Sequence, residues 1–258
     1  VDLTNEQWSL IEPLLPARRL KREDRPGRTP TPSRALWDGI LWILRTGAQW
    51  SELPRGKYPP YKTVHRWLQG WGKDGTFRAV LRALALDLKD RGGFDLEEGF
   101  VDAFFASAKK GGPCVGKTKR GKGAKVMADA DGAGLPLAIG AASASPPETK
   151  FLEATLDESL LDELPERLIG DKAYDADKLD ERLWRERGVK LIAPHRRGRK
   201  TKTQDGRELR RYRPRWKVER LFAWLQNFRR LVTRYEVRLE NFLGFLHLGC
   251  ILILLRQF

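Results

Sequence analysis

The chain of 258 residues carries 49 Lys and Arg against 34 Asp and Glu, a formal charge of +15, with 41% apolar residues, 10% aromatic and nine Trp. That supplies apolar side chains for a large core and excludes a disordered tail or a low-complexity protein. The length suits one large domain or two small ones; two are expected, at residues 1–91 and 92–258, and the charge points to a polyanionic partner.

In the first ninety residues the apolar period is helical. Thr4 is a natural N-cap for a helix to Leu15 with Trp8, Ile11, Leu14 and Leu15 on one face. Ala17–Pro32 is basic and rich in Pro and Gly, and reads as a linker or an arm laid along phosphates. A second helix runs from Ser33 to near Gly47, and after a Gly/Pro break at Pro54–Pro60 a third buries Val64, Trp67, Leu68 and Trp71. Its other face shows Lys62, His65, Arg66 and Gln69, the layout of a helix-turn-helix DNA reader or of a plain helical bundle. A fourth helix, Phe77–Leu88, joins this all-α unit to the next.

After Gly92-Gly93 the texture changes. Gly99–Ala106, Ala124–Ala130 and Leu135–Ala141 are strand candidates, the last two joined by Asp131-Gly132-Ala133-Gly134, with Asp129 and Asp131 read as turn formers. A helix from Pro147 to about Leu161, a strand at Arg167–Asp171, a helix at Asp175–Arg187 and a strand at Val189–Ala193 follow. A basic loop then leads to a long helix, Pro214–Leu231. Three hairpin-linked strands and then alternating helices and strands describe an α/β, ribonuclease H-like sheet. Phe242–Leu255 is apolar but short of the roughly 20 residues of a membrane span, and reads as a buried helix. Cys114 and Cys250 fit no zinc or disulfide spacing, and no signal peptide is recognisable. A reducing, cytoplasmic setting is therefore expected.

The charge is unevenly spread. Residues 1–108 carry net +3, 109–126 net +7, 127–189 net −8 and 190–258 net +13. Two basic blocks around an acidic segment suggest a nucleic-acid groove beside a carboxylate centre. Three acids stand in apolar surroundings: Asp102 within the first strand, Asp171 at the end of the fourth, and Glu219 among Trp216, Val218, Leu221 and Phe222. A charge there is costly unless paired or bound to metal. One such acid suggests a salt bridge, with Lys172 or Arg220 at hand, whereas three suggest hard-oxygen ligation of Mg²⁺ or Mn²⁺. Two such ions at one site suit in-line attack on a phosphodiester.

These residues resemble bacterial DDE transposases of the insertion sequence 5 family. The likeness runs from Leu3-Thr4-Asn5-Glu6-Gln7-Trp8, through Gly170-Asp171-Lys172-Ala173-Tyr174-Asp175, to Asn241-Phe242-Leu243-Gly244-Phe245-Leu246-His247-Leu248. The signature Tyr-x2-Arg-x3-Glu-x6-Lys appears as Tyr212, Arg215, Glu219 and Gln226, with Gln in place of Lys and with Arg229 and Arg230 close behind. Phe104 stands where the family carries a small hydroxyl residue. The resemblance implies that Asp102, Asp171 and Glu219 form a catalytic, metal-binding triad holding two ions, and that Tyr212 and Arg215 position DNA phosphates. It further implies cleavage of element ends and strand transfer into target DNA, by a homodimer on double-stranded DNA near the bacterial nucleoid. The rival readings are a ribonuclease H-like nuclease that never joins DNA, and a non-catalytic DNA-binding derivative.

Gly111 and Gly116-Lys117-Thr118 have P-loop spacing, but Gly, Lys and Arg continue where a helix must start. A flexible basic loop gripping DNA with Lys117, Lys119, Arg120 and Lys122 is the reading taken. A second, His195–Arg215, offers Arg196, Arg197 and Arg199. The aromatic stripe of Trp216, Phe222, Trp224 and Phe228 reads mainly as core, the alternative for Trp216 or Trp184 being to stack on an unpaired base. His65, His195 and His247 share no metal spacing.

Overall fold

The first helix forms where the sequence supplies both halves of a capping box. Thr4 Oγ1 accepts the Gln7 amide and the Gln7 side chain accepts the Thr4 amide, each at 3.2 Å, so two orphan donors of α1 (Asn5–Ile11) are satisfied. This computed structural model describes residues 2–17, 30–204 and 206–258; most of the expected basic arm, residues 18–29, lies outside them. Helix α2 (Ser33–Thr46) stops at Gly47, which takes a left-handed φ of 68° and donates its amide to the Ile43 carbonyl. A Cβ there would also meet that of Arg229 at 2.9 Å.

Helices α3 (Tyr61–Lys73) and α4 (Thr76–Asp90) follow. The reader pattern placed its turn between α2 and α3, yet residues 47–60, including a 3-10 turn at Trp50–Glu52, separate them. That is far longer than the motif's three or four residues, about one tight turn. The tight connection lies between α3 and α4, where the Asp74 carboxylate accepts the Thr76 amide at 3.0 Å and its hydroxyl at 2.6 Å.

The central strand is β1 (Glu98–Ala108). It pairs antiparallel with β3 (Gly121–Ala130) and parallel with β5 (Arg167–Ile169). Antiparallel β4 (Pro136–Ser143) extends the sheet beyond β3, and parallel β6 (Lys190–Ile192) beyond β5. The order β4-β3-β1-β5-β6 is that of a ribonuclease H-like sheet. Short β2 (Gly116–Thr118) forms a hairpin with β3, and β7 (Thr233–Arg234) pairs with the end of β1.

Side chains alternate across the sheet, so each strand feeds two cores. Phe100, Val126 and Ala128 join a core shared with the N-terminal helices, α7 (Trp216–Gln226) and α9 (Leu239–Leu254). Val101, Met127 and Leu168 pack with α5 (Leu152–Asp157) and α6 (Asp177–Arg187). Helix α9 is the buried helix that its composition implied, covered by α3 and α4. Among the described residues no helix is long and apolar enough to cross a membrane.

Four expectations need correcting. The long helix is broken: a 3-10 stretch, Glu208–Arg215, carries Pro214, α7 ends at Gln226, Phe228 is extended, and α8 (Arg229–Val232) starts afresh. The helix after Pro147 shrinks to a 3-10 turn and the six-residue α5. The first basic loop contains the β2–β3 hairpin, closed at Lys119-Arg120, so a strand stands where a P-loop needs its helix. Asp131 is a turn former, accepting the amides of Ala133 and Leu135. Asp129 is not: it sits within β3 opposite Val101, fully buried, and burial followed by the Asp131 charge pushes its pKa up to about 8.

Candidate active site

Strand register brings the first two acids together. Phe100 on β1 pairs with Ile169 on parallel β5, so two residues further along both chains Asp102 and Asp171 lie side by side. Gly170 makes the exit from β5 possible, since a Cβ there would meet the Tyr174 ring at 2.7 Å. Asp171 then caps the 3-10 turn Lys172–Tyr174, its Oδ1 accepting the Ala173 amide at 2.7 Å.

The third acid arrives on α7, and one cation ties it to the first. Arg215 donates from Nη1 to Asp102 Oδ2 at 2.6 Å and from Nη2 to Glu219 Oε1 at 2.9 Å. Its guanidinium also lies 5.7 Å from the Tyr212 ring centroid. Burial works against the Arg215 charge, but Asp102, Tyr212 and Glu219 together hold its pKa above the ordinary value. Asp102 behaves in the opposite sense. Burial first, with Glu148 and Asp171 adding like charge, pushes its pKa up to about 6 against the pull of the Ala103 amide and Arg215. Phe104 is core, edge-on to Phe222 at 5.1 Å.

Glu148 and Tyr174 are the neighbours that the sequence did not reveal. Glu148 opens the 3-10 turn Glu148–Lys150, which packs on the turn capped by Asp171, and pairs with Lys125 at 3.4 Å. Tyr174 is fully buried and its hydroxyl has no hydrogen-bond partner. Burial, then Glu148, Asp102 and Asp171, hold that phenol well above its usual pKa, so it stays protonated. Glu148 follows a Ser/Pro-rich stretch with no apolar period, and no sequence signal marks it. Among the described residues no three His, Cys, Asp or Glu side chains stand close enough together to hold a metal ion. The chemistry of the donors nonetheless suits a hard divalent cation: carboxylates whose charges act on one another, one pushed towards protonation by burial and by the acids near it, and an unpartnered phenol.

The basic residues divide sharply. Lys117, Lys119, Arg120 and Lys122 are exposed on the hairpin, Lys62 and Arg66 on α3, and Arg197, Gln226 and Arg229 are exposed too. Three candidates are committed elsewhere. Arg230 is buried on Glu236, with Nε and Nη2 at 2.8 and 2.7 Å from Oε1. Arg199 is paired with Asp175 and Asp177, and His195 with Asp175 at 3.0 Å, so this part of the second basic loop is stapled to the turn after Asp171. Arg196 is exposed, yet its guanidinium donates to the carbonyls of Lys172 and Ala173 at 3.1 and 2.6 Å. His65 packs on Trp50 at 4.7 Å, and burial followed by Arg230 and Arg238 lowers its pKa. Trp216, read as core, is 52% exposed with Arg220 over its ring, and Trp184 is 62% exposed.

A family model described as "Transposase DDE domain" matches residues 93–255, and one described as "Putative transposase of IS4/5 family" matches residues 3–81. The chain is 34% identical over 117 residues to "Insertion element IS402 uncharacterized 16.2 kDa protein" of Burkholderia cepacia, covering 45% of this chain and 80% of that one. It is 40% identical over 89 residues to "Putative transposase for insertion sequence element IS402" of the same species, covering 34% of this chain and 38% of that relative's length. It is 33% identical over 134 residues to "Putative transposase for insertion sequence element IS6501" of Brucella ovis, covering 51% and 98%. A solved structure titled "Crystal structure of a pre-cleavage Mos1 transpososome" aligns over 91% of this chain and 82% of that one at 9% identity, with a TM-score of 0.29, too distant to bear on the fold. Asp102, Asp171 and Glu219 all lie inside the DDE match, which spans more than half of the chain, and the chain belongs to the DDE transposases of IS4/5 type.

Proposed function

We propose that this DNA transposase cuts the ends of its own insertion element and joins them to target DNA at a triad of Asp102, Asp171 and Glu219. The observation that carries the reading is the Arg215 fork, which links the acid on α7 to the acid on β1 while strand register sets Asp171 beside them. Two divalent cations, Mg²⁺ or Mn²⁺, when bound there supply the charge that activates an attacking oxygen and stabilises the leaving one. Asp102 on β1, Asp171 just past the end of β5 and Glu219 on α7 are the residues that would hold them. Attack of water on a phosphodiester forms one P–O bond as the bond to the 3′ oxygen breaks, leaving a 3′ hydroxyl and a 5′ phosphate. That hydroxyl then attacks a phosphodiester of the target, forming one P–O bond as another breaks, so joining needs no external energy source.

The protein's own residues do the positioning. Arg215 is held by Asp102 and Glu219, and its fork would pair with a phosphate oxygen of bound DNA. Tyr212 backs that guanidinium. The exposed hairpin cations and the Lys62/Arg66 face of α3 form the walls along which the terminal repeats lie, and Arg197, Gln226 and Arg229 extend them. Two ends are processed together, by a homodimer on DNA. A pre-cut element end with a free 3′ hydroxyl tests the reading: with Mg²⁺ the protein transfers that strand into plasmid DNA. Cleavage of uncut ends without any transfer of pre-cut ones would make it a nuclease instead.

A further inference from the structure

We propose that the open groove between α3 and the turn Tyr235–Arg238 is a separate site for unpaired nucleotides. The proposal rests on the transposase reading and adds a second place where DNA is held. The groove has a volume of about 680 Å³, within the roughly 300–1,000 Å³ of sites that take one small ligand and too small for a duplex. It begins where β1 ends: β7 pairs with Ser107 and Ala108, the chain turns through Tyr235–Arg238 into α9, and Lys110 faces the same space. From Asp102 to Ala108 the strand rises about 20 Å at roughly 3.3 Å per residue, about six nucleotide steps along a DNA strand at roughly 3.4 Å each.

Its lining has the chemistry of a single-strand site. Tyr61, Tyr235 and Val237, 37%, 39% and 47% exposed, are three of the few large apolar side chains left open on the described surface, and all three border this groove. The Tyr235 ring is held by the guanidinium of Arg230, 4.8 Å from its centroid, and Arg230 is itself locked on Glu236. Trp50 and His65 add a second aromatic surface, and the lowered pKa keeps His65 neutral. Lys110 and Arg238 bring positive charge to the same space. Aromatic platforms beside cations are how proteins hold bases and track the phosphates between them.

The groove also has a polar side. Glu236, only 7% exposed, lines the groove; its Oε1 takes both hydrogen bonds from Arg230, while its Oε2 is buried with no partner. A buried carboxylate oxygen without a donor is costly. That oxygen is closed off from the groove, so Glu236 serves to fix Arg230 behind the Tyr235 ring, while Gln69 and Asn241 in the same lining can meet base-edge groups.

The test compares two strands of equal length, one with bases and one abasic, binding to the full chain without divalent ions, read by fluorescence anisotropy. The wild type is expected to prefer the base-bearing strand by about 5- to 150-fold, the range that stacking of one base gives. Tyr61→Ala with Tyr235→Ala is expected to remove that preference while abasic binding stays unchanged, and Tyr235→Phe is expected to keep it. Equal binding of both strands by the wild type, or an undiminished preference in the double alanine variant, would overturn the proposal. Binding without divalent ions does not depend on the triad, so its loss and the loss of end cleavage are separable outcomes.

Discussion

At the scale of single residues, the candidate acids and Arg215 stood out in the sequence, and the ion pairs that occupy other cations did not. Asp102 and Asp171 stood out because each interrupts an apolar run, an arrangement that chemistry tolerates only with compensation. Arg230 carried no such mark. It looked like one more cation in a basic block, and only the fold shows Glu236 waiting six residues on. Asp129 makes the same point in reverse, since its neighbour Asp131 forms the turn while it is buried itself. With its native pKa pushed up to about 8 and the unfolded value near 4, the folded state holds the extra proton across that window. Asp129 therefore makes stability fall as pH rises from about 4 to about 8, by roughly 1.4 kcal/mol per unit. Asp129→Asn is expected to flatten this decline in urea titrations at about pH 5 and pH 8. Parallel declines in both proteins would show Asp129 to be ionised throughout. Arg215→Ala is expected to lower the cleavage rate by about 10²-fold, as for a lost positioning group, and Arg215→Lys to rescue little because it lacks the two-pronged fork. Single-turnover kinetics on duplex ends would decide.

Among the elements, the helices of the N-terminal half followed from their apolar period, and α9 from its composition. What sequence missed were breaks that leave the period intact. Phe228 and Leu231 continue the apolar spacing of α7, yet Phe228 is extended and the helix restarts at Arg229. The β2–β3 hairpin hid for the opposite reason: its Gly and Lys residues have weak strand propensity, and pairing with β1 and β4 overrides it. The exposed cations of this hairpin set a salt dependence. Changing Lys117, Lys119, Arg120 and Lys122 to Gln is expected to reduce the slope of log affinity for duplex DNA against log salt by about 0.9 for each phosphate no longer neutralised. Arg230→Gln, by contrast, is expected to act on the fold, costing about 3–5 kcal/mol as a broken buried ion pair does, measured by denaturant unfolding.

For the whole molecule, the excess of +15 comes from the segment that holds the hairpin, net +7, and from residues 190–258, net +13, with the acidic segment between them carrying Asp171. The sequence suggested two units, and the structure gives the N-terminal helices, α7 and α9 one continuous core. Residues 92–258 alone would leave bare the face of α9 that α3 and α4 cover. The full chain is therefore expected to unfold in a single calorimetric transition, and two well-separated transitions would contradict a shared core. The central claim concerns the triad, and its most direct measurement is cleavage of DNA bearing the element ends in Mg²⁺ or Mn²⁺. Wild-type protein is predicted to cut at the ends, and Asp102→Asn, Asp171→Asn and Glu219→Gln each to lose cutting while still binding the same DNA. End cleavage that persists in Asp171→Asn or Glu219→Gln protein would contradict it.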